Sequence, residues 1–158
     1  VENHTPHVII VDEIRDRNEA ASAKTIVERG VQLIATCHGK NFLSVVRNPV
    51  FNQLLGGIKS ATLGDDTAAD NGTNKNVLQR ESFPSFDTVV ELIDYDEVAI
   101  YSDVAKVVDH MLRGEEVQPT ILRKINGVWI VIQHAKIKQK EVHAPAPVKP
   151  TPQPKKRR

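Results

Sequence analysis

The sequence predicts an α/β fold, a parallel sheet with helices, followed by a β-rich extension and a basic, disordered tail. Three observations carry this reading. Residues 7–11 (HVIIV) form an apolar, β-branched run without polar alternation, as in a central parallel strand covered on both faces. Strand-like and helix-like segments then alternate with short joins, the pattern of an open parallel α/β sheet. From residue 134 the composition shifts to Pro, Lys and Arg with no apolar periodicity.

Taken in order, the first strand ends in Asp12-Glu13. Residues 18–28 place Ala20, Ala23, Ile26 and Val27 at helical spacing and are closed by Gly30. Residues 31–35 (VQLIA) give a second short strand that ends at Thr36-Cys37-His38-Gly39. Residues 42–55 read as helical, divided by Pro49, and residues 58–63 as a third strand. Turn formers dominate residues 64–75, which predicts a mobile loop. Strands follow at 76–80, 86–93 and 97–101. Ser102 then caps a helix whose Val104, Val107, Val108, Met111 and Leu112 share one face, and Gly114 ends it. Residues 120–133 read as a hairpin turning at Asn126-Gly127, a pair favoured in tight type I′ turns.

The 158 residues suffice for one domain, and the 40% hydrophobic content supports a core. Aromatics are only 4%, so that core must be aliphatic. No apolar stretch approaches the roughly 18 residues of a membrane span. A single cysteine, Cys37, excludes an internal disulfide. The net charge of +1 hides a division: residues 134–158 carry eight Lys/Arg against one Glu, leaving the remainder at −6. Five of the nine prolines also fall in that stretch, which cannot bury enough surface to offset its ordering entropy. The chain begins at Val1 without an initiator Met and reads as a piece of something longer.

Four apolar residues running into Asp12-Glu13 are the Walker B arrangement of nucleoside triphosphatases. A buried strand fixes Asp12 at its tip, where it can hold Mg²⁺ through water, and Glu13 can polarise water attacking the γ-phosphate. Alone this pattern does not discriminate, because apolar strands ending in acids are common in α/β sheets. Neighbouring parallel strands deliver their tips to one crevice, so Thr36 and His38 join the site as groups able to sense the γ-phosphate or orient water. A lone His elsewhere would be read as an ordinary surface or core residue.

These residues resemble the stage III sporulation protein AA family. The match runs through Asp12-Glu13-Ile14-Arg15-Asp16, Glu19-Ala20, residues 29–39 (RGVQLIATCHG), Arg47-Asn48-Pro49, Leu55-Gly56-Gly57-Ile58, Thr62-Leu63-Gly64-Asp65, and Arg80 with Pro84-Ser85-Phe86-Asp87. That family has plastid and cyanobacterial relatives and is similar to RecA-like secretion and pilus-motor P-loop ATPases. The resemblance spans about residues 7–115. It implies the C-terminal part of a RecA-like P-loop NTPase core that binds ATP and Mg²⁺ and works as a homo-oligomeric ring. Asp12 would assist the metal, Glu13 activate water, and His38 occupy the histidine-box position. One of Arg15, Arg29 and Arg80 would stabilise transition-state charge across a subunit boundary. The domains would be residues 1–115, a hairpin extension at 116–135 and the tail at 136–158. The compartment would be the plastid stroma or bacterial cytoplasm, with a nuclear address the reading suggested by the basic tail.

One departure is large. The glycine-rich loop G-x-x-x-x-G-K-[ST] is absent: Gly56-Gly57-Ile58-Lys59-Ser60 has an extra residue before Lys, and His38-Gly39-Lys40-Asn41 lacks the first Gly and the hydroxyl. Without that cradle these 158 residues are expected to bind ATP weakly and hydrolyse it negligibly. An ATPase would carry the loop about 60–80 residues before Asp12. The competing reading is a non-catalytic, degenerate module that binds protein or nucleic acid. Its contact would be Lys155, Lys156, Arg157 and Arg158, which equally suit an acidic surface, a nuclear-import receptor or a solubilising tail. Cys37 reads as a small strand-end residue, His4 and His7 lack a third ligand, and Asp65, Asp66 and Asp70 are too irregular for a calcium loop. Two glycosylation sequons, at Asn3 and Asn71, come with no sign of secretion.

Overall fold

In the computed structural model, residues 6–62 and 76–138 are described. The chain opens with strand β1 (Val8–Val11), helix α1 (Arg17–Glu28) and strand β2 (Gln32–Ala35). The two strands pair in parallel, Val8 with Gln32 through Val11 with Ala35. Asp16 starts α1: its carboxylate accepts the backbone N–H groups of Asn18 and Glu19 at 2.8 and 2.9 Å, satisfying donors that would otherwise be orphaned. The helix buries Ala20 and Ala23 against Ile14, Leu33, Phe51 and Leu54.

Coverage of the pair differs from the sequence expectation. A strand covered on both faces was predicted, yet Ile10 is 75% exposed, and Val8 and Ile34 are exposed as well. Among the described residues β1 and β2 pair only with each other, and α1 packs against the side that bears Leu33. An apolar run signals capacity for burial; it does not say which faces find a neighbour.

Pro49 divides the next segment as expected, into α2 (Phe42–Arg47) and a 3₁₀ turn (Asn52–Leu55). Strand β3 (Ile58–Thr62) then leaves the parallel pair and runs antiparallel to β4 (Asn76–Arg80). The third strand of the expected parallel order thus pairs elsewhere. The predicted mobile loop, residues 64–75, lies outside the described residues.

Strands β5 (Thr88–Asp94), β6 (Glu97–Ser102), β8 (Thr120–Ile125) and β9 (Val128–Gln133) form one antiparallel sheet in the order β5-β6-β8-β9. The β8–β9 hairpin turns at Asn126 (φ 50°) and Gly127 (φ 82°), as the Asn-Gly pair predicts. It is no separate extension, because β8 pairs with β6. Helix α3 (Val104–Leu112) follows β6 directly. Its cap is Asp103 and not Ser102, which still belongs to the strand. Asp103 turns the chain at φ 55° and accepts the Lys106 N–H at 3.2 Å, a conformation that Asp tolerates better than most residues. Short strands β7 (Glu116–Gln118) and β10 (Lys136–Lys138) pair antiparallel, so the first residues of the expected tail belong to the fold. Residues 139–158 lie outside the described residues.

A second core joins these parts: Phe42, Val46 and Leu55 meet Val104, Val107 and Val108, with Val89 and Tyr101 packed beside them. On the β5–β6 part of the sheet, the face bearing Val89, Ala99 and Tyr101 is therefore covered, whereas β9 is exposed along its whole length. The opposite rows, Leu92–Val98–Leu122–Val131 and Val90–Ile100–Thr120, run across the other face, where Val90, Leu92 and Val131 are exposed.

Candidate functional site

The tips of β1 and β2 are laced together. Thr36 N–H donates to the Val11 carbonyl at 3.3 Å, and Ile14 N–H donates to the Thr36 carbonyl at 2.8 Å. The Thr36 hydroxyl donates to the Asp12 carbonyl. Because the strands run parallel and in register, the residues just past Val11 and Ala35 emerge at one end of the pair. There the Glu13 carboxylate lies 3.5 Å from His38 Nε2. His38 is almost fully exposed and Glu13 about one third so, which leaves both accessible from solvent. Asp12 is exposed beside them. Of the residues singled out from the sequence, the structure thus gathers Asp12, Glu13, Thr36 and His38.

The three arginines divide. Arg15 stays close to Glu13 but is engaged: its guanidinium donates to Glu19 at 2.9 Å, and its backbone N–H donates to the same carboxylate at 2.7 Å. The hydrogen bond from Arg15 holds the Glu19 carboxyl below its ordinary range. Arg29 caps the far end of α1, about 18 Å of helix away from the strand tips. Arg80 faces α3, where Asp109 takes Nε and Nη2 at 2.8 and 2.9 Å and the Ser82 carbonyl takes Nη1 at 2.6 Å. Its guanidinium is spent on holding β4 to the helix.

An oxygen-lined Mg²⁺ site needs only one or two protein carboxylates when phosphates and waters complete the shell. The exposed Asp12 beside Glu13 fits that donor set. No group of three His, Cys, Asp or Glu able to hold a metal occurs among the described residues. His4, Asp65, Asp66, Asp70 and Lys155, Lys156, Arg157 and Arg158 lie outside them. Cys37 is exposed, and partial desolvation raises its thiol pKa, the opposite of what a nucleophile needs. No helix among the described residues is long and apolar enough to cross a membrane.

Sequence reasoning passed over one feature. Lys40 and Arg47, with Asn41, Ser44 and Asn48, line an open cleft of about 550 Å³ on α2. The available signal was two cations seven residues apart, about two helical turns, flanking an Asn cap.

Three relatives were found by sequence. The chain is 44% identical over 116 residues to the uncharacterized protein ycf45 of Porphyra purpurea, covering 73% of this chain and 20% of that protein. It is 42% identical over 127 residues to the protein SEEDLING PLASTID DEVELOPMENT 1 of Arabidopsis thaliana, covering 80% and 18%. A ycf45 protein of Cyanidium caldarium is 35% identical over 128 residues, covering 80% and 38%. The chain therefore spans about a fifth to two fifths of these relatives' length. No family model matches, and no solved structure matches. These findings correct the resemblance drawn from the sequence. The relatives bear ycf45 and plastid-development names, and none points to stage III sporulation protein AA or to RecA-like P-loop ATPases.

Proposed function

We propose that the β1–β2 tip is the water-activating half of a site that hydrolyses a nucleoside triphosphate. The observation that carries this reading is the Glu13–His38 pair, 3.5 Å apart at the adjoining tips of two parallel strands. Glu13 is placed to polarise an attacking water and His38 to orient it or contact the terminal phosphate. Asp12 is the carboxylate for Mg²⁺, whose chemistry when bound is to offset phosphate charge. Thr36, whose hydroxyl bonds the Asp12 carbonyl, fixes the spacing of the two tips. By the name of its Arabidopsis relative, the protein would work in plastid development.

The test is phosphate release from Mg-ATP by protein that contains this segment. Glu13→Gln should lower turnover by about 10²-fold or more and leave ATP binding intact. Unchanged turnover in that variant removes Glu13 from the role. The 158 residues alone should turn over negligibly, because they hold no G-x-x-x-x-G-K-[ST] loop.

That missing loop also supports a second reading, a non-catalytic module that acts through contacts with other molecules. Under it Glu13→Gln is silent in every assay of the intact protein.

A further inference from the structure

Among the described residues, the Glu13–His38 site has acids and an imidazole, and the arginine beside it, Arg15, is tied to Glu19. The open cleft on α2 supplies the missing chemistry. None of its lining residues is acidic: they are Lys40, Asn41, Leu43, Ser44, Arg47, Asn48 and Pro49. Neither the Lys40 ammonium nor the Arg47 guanidinium has an ion pair or hydrogen bond among the described residues. The other large cleft, between β4 and α3, is different, because its Arg80 and Arg113 are neutralised by Asp109 and Glu115.

The two asparagines add to the asymmetry. Asn41 Oδ1 accepts the Ser44 N–H at 2.9 Å, and Asn48 Oδ1 accepts the Val50 N–H at 2.9 Å. Backbone N–H groups can only donate, so these bonds fix each carboxamide with its oxygen used, and neither Nδ2 has a partner among the described residues. The Ser44 hydroxyl is closed into the Asn41 capping box. The first-turn amides of α2 take little part, since Phe42 N–H is given to Glu91 and Ser44 N–H to Asn41. What remains to a ligand is an ammonium, a guanidinium and two amide NH₂ groups, a set of donors suited to phosphate oxygens.

Position links the cleft to the strand tip. Lys40 follows His38 by two residues, a Cα separation of at most about 7 Å. Gly39 holds that join against α2: a Cβ there would meet Val45 Cγ2 at 2.5 Å.

We propose that Lys40 and Arg47, assisted by the Asn41 and Asn48 amides, bind the phosphate chain of the nucleotide whose terminal phosphate reaches Glu13 and His38. The identity of the anion as a nucleotide rests on the proposed function; the anion site itself does not.

The experiment is calorimetric titration of the full chain with sodium tripolyphosphate, followed by ATP and by adenosine. Lys40→Ala/Arg47→Ala should weaken tripolyphosphate and ATP by about tenfold or more, with an unchanged circular dichroism spectrum. Lys40→Arg/Arg47→Lys should retain most of the affinity. A variant with Lys155, Lys156, Arg157 and Arg158 all changed to Ala should bind as the parent does, and adenosine should not bind. The proposal is overturned by equal affinity in parent and Lys40→Ala/Arg47→Ala, by loss on changing the four terminal cations instead, or by no saturable binding below about 10 mM. Glu13→Gln separates the two ideas. If it leaves turnover unchanged in longer protein that contains this segment and turns over Mg-ATP, while the Lys40/Arg47 dependence of tripolyphosphate binding persists, the hydrolytic reading fails and the anion site stands.

Discussion

Arg80 and Asp109 form a two-point clamp between β4 and α3, with Nε–Oδ1 at 2.8 Å and Nη2–Oδ2 at 2.9 Å. The arginine side chain is only 15% exposed, and its third nitrogen reaches the Ser82 carbonyl. Paired, planar contacts of this kind are the ion pairs that outlast solvent screening. Arg80→Lys cannot reproduce the fork. It should lower the unfolding free energy by about 1–2 kcal/mol in urea titration. Arg80→Ala with Asp109→Ala should cost less than the two single changes added together. Strict additivity would mean that the clamp contributes nothing.

Glu91 ties the sheet to α2, accepting the Phe42 N–H at 3.2 Å and the Tyr101 hydroxyl at 3.1 Å. Burial, reinforced by the Glu91 charge, pushes the Tyr101 phenol up to about 12. The folded state therefore holds this proton more tightly than the unfolded chain, whose phenol titrates near 10. Stability from this group is complete below pH 10 and is lost as pH climbs towards 12. Alkaline unfolding curves should show that decline in the parent and a flatter one in Tyr101→Phe. Coincident curves would show that Tyr101 does not govern the alkaline limb.

At the end of α3, Glu115 receives His110 Nδ1 and the Arg113 Nε, the latter at 2.9 Å. These hydrogen bonds, His110 first, hold its carboxyl below the ordinary 4.5. The sign is the reverse of the tyrosine case. The contribution is present above pH 4.5 and disappears as pH falls through the depressed value. Glu115→Gln should be less stable than the parent at neutral pH, and the gap should close in acid. A gap independent of pH would assign the loss to packing instead.

The two faces of the four-stranded sheet should respond oppositely to substitution. Leu92 is 79% exposed, so Leu92→Lys should change stability by about 0.5 kcal/mol or less. Ala99 is 2% exposed at the centre of the covered face, where added methylenes have no room; Ala99→Leu should cost about 1–3 kcal/mol. Thermal unfolding of the two variants checks the assignment, and a reversed order would put the core on the other face.

What could be read from the sequence was what is local. Gly30, Gly114 and Asn126-Gly127 lie where they were expected, and Pro49 divides its segment, because each acts through its own backbone geometry. The meeting of Glu13 and His38 could also be anticipated, since short parallel strands must bring their tips together. What could not be read depended on partners distant in sequence. Nothing near Ile58 says that β3 will pair with β4, and Arg80 and Asp109 are 29 residues apart. The HVIIV run promised burial on two faces, yet Ile10 is open because coverage belongs to the neighbours. At Lys40 and Arg47 the relevant fact, that no acid among the described residues answers them, emerges only once the chain is folded.

Thr36 offers the sharpest separation of positioning from stability at the strand tips. Its hydroxyl bonds the Asp12 carbonyl, the residue before Glu13, and its backbone joins both Val11 and Ile14. Thr36→Val keeps the shape and the backbone bonds and deletes only the hydroxyl. Because Asp12 is exposed, water can take up its carbonyl, and the stability cost should be about 1 kcal/mol or less. Catalysis is less forgiving, since small displacements between a general base and its partner are expensive. In protein that turns over Mg-ATP, Thr36→Val should lower kcat about tenfold with KM little changed, and Thr36→Ser should restore it. A purely structural Thr36 would lower the melting temperature and leave kcat untouched, and that result would detach the strand-tip spacing from the proposed chemistry.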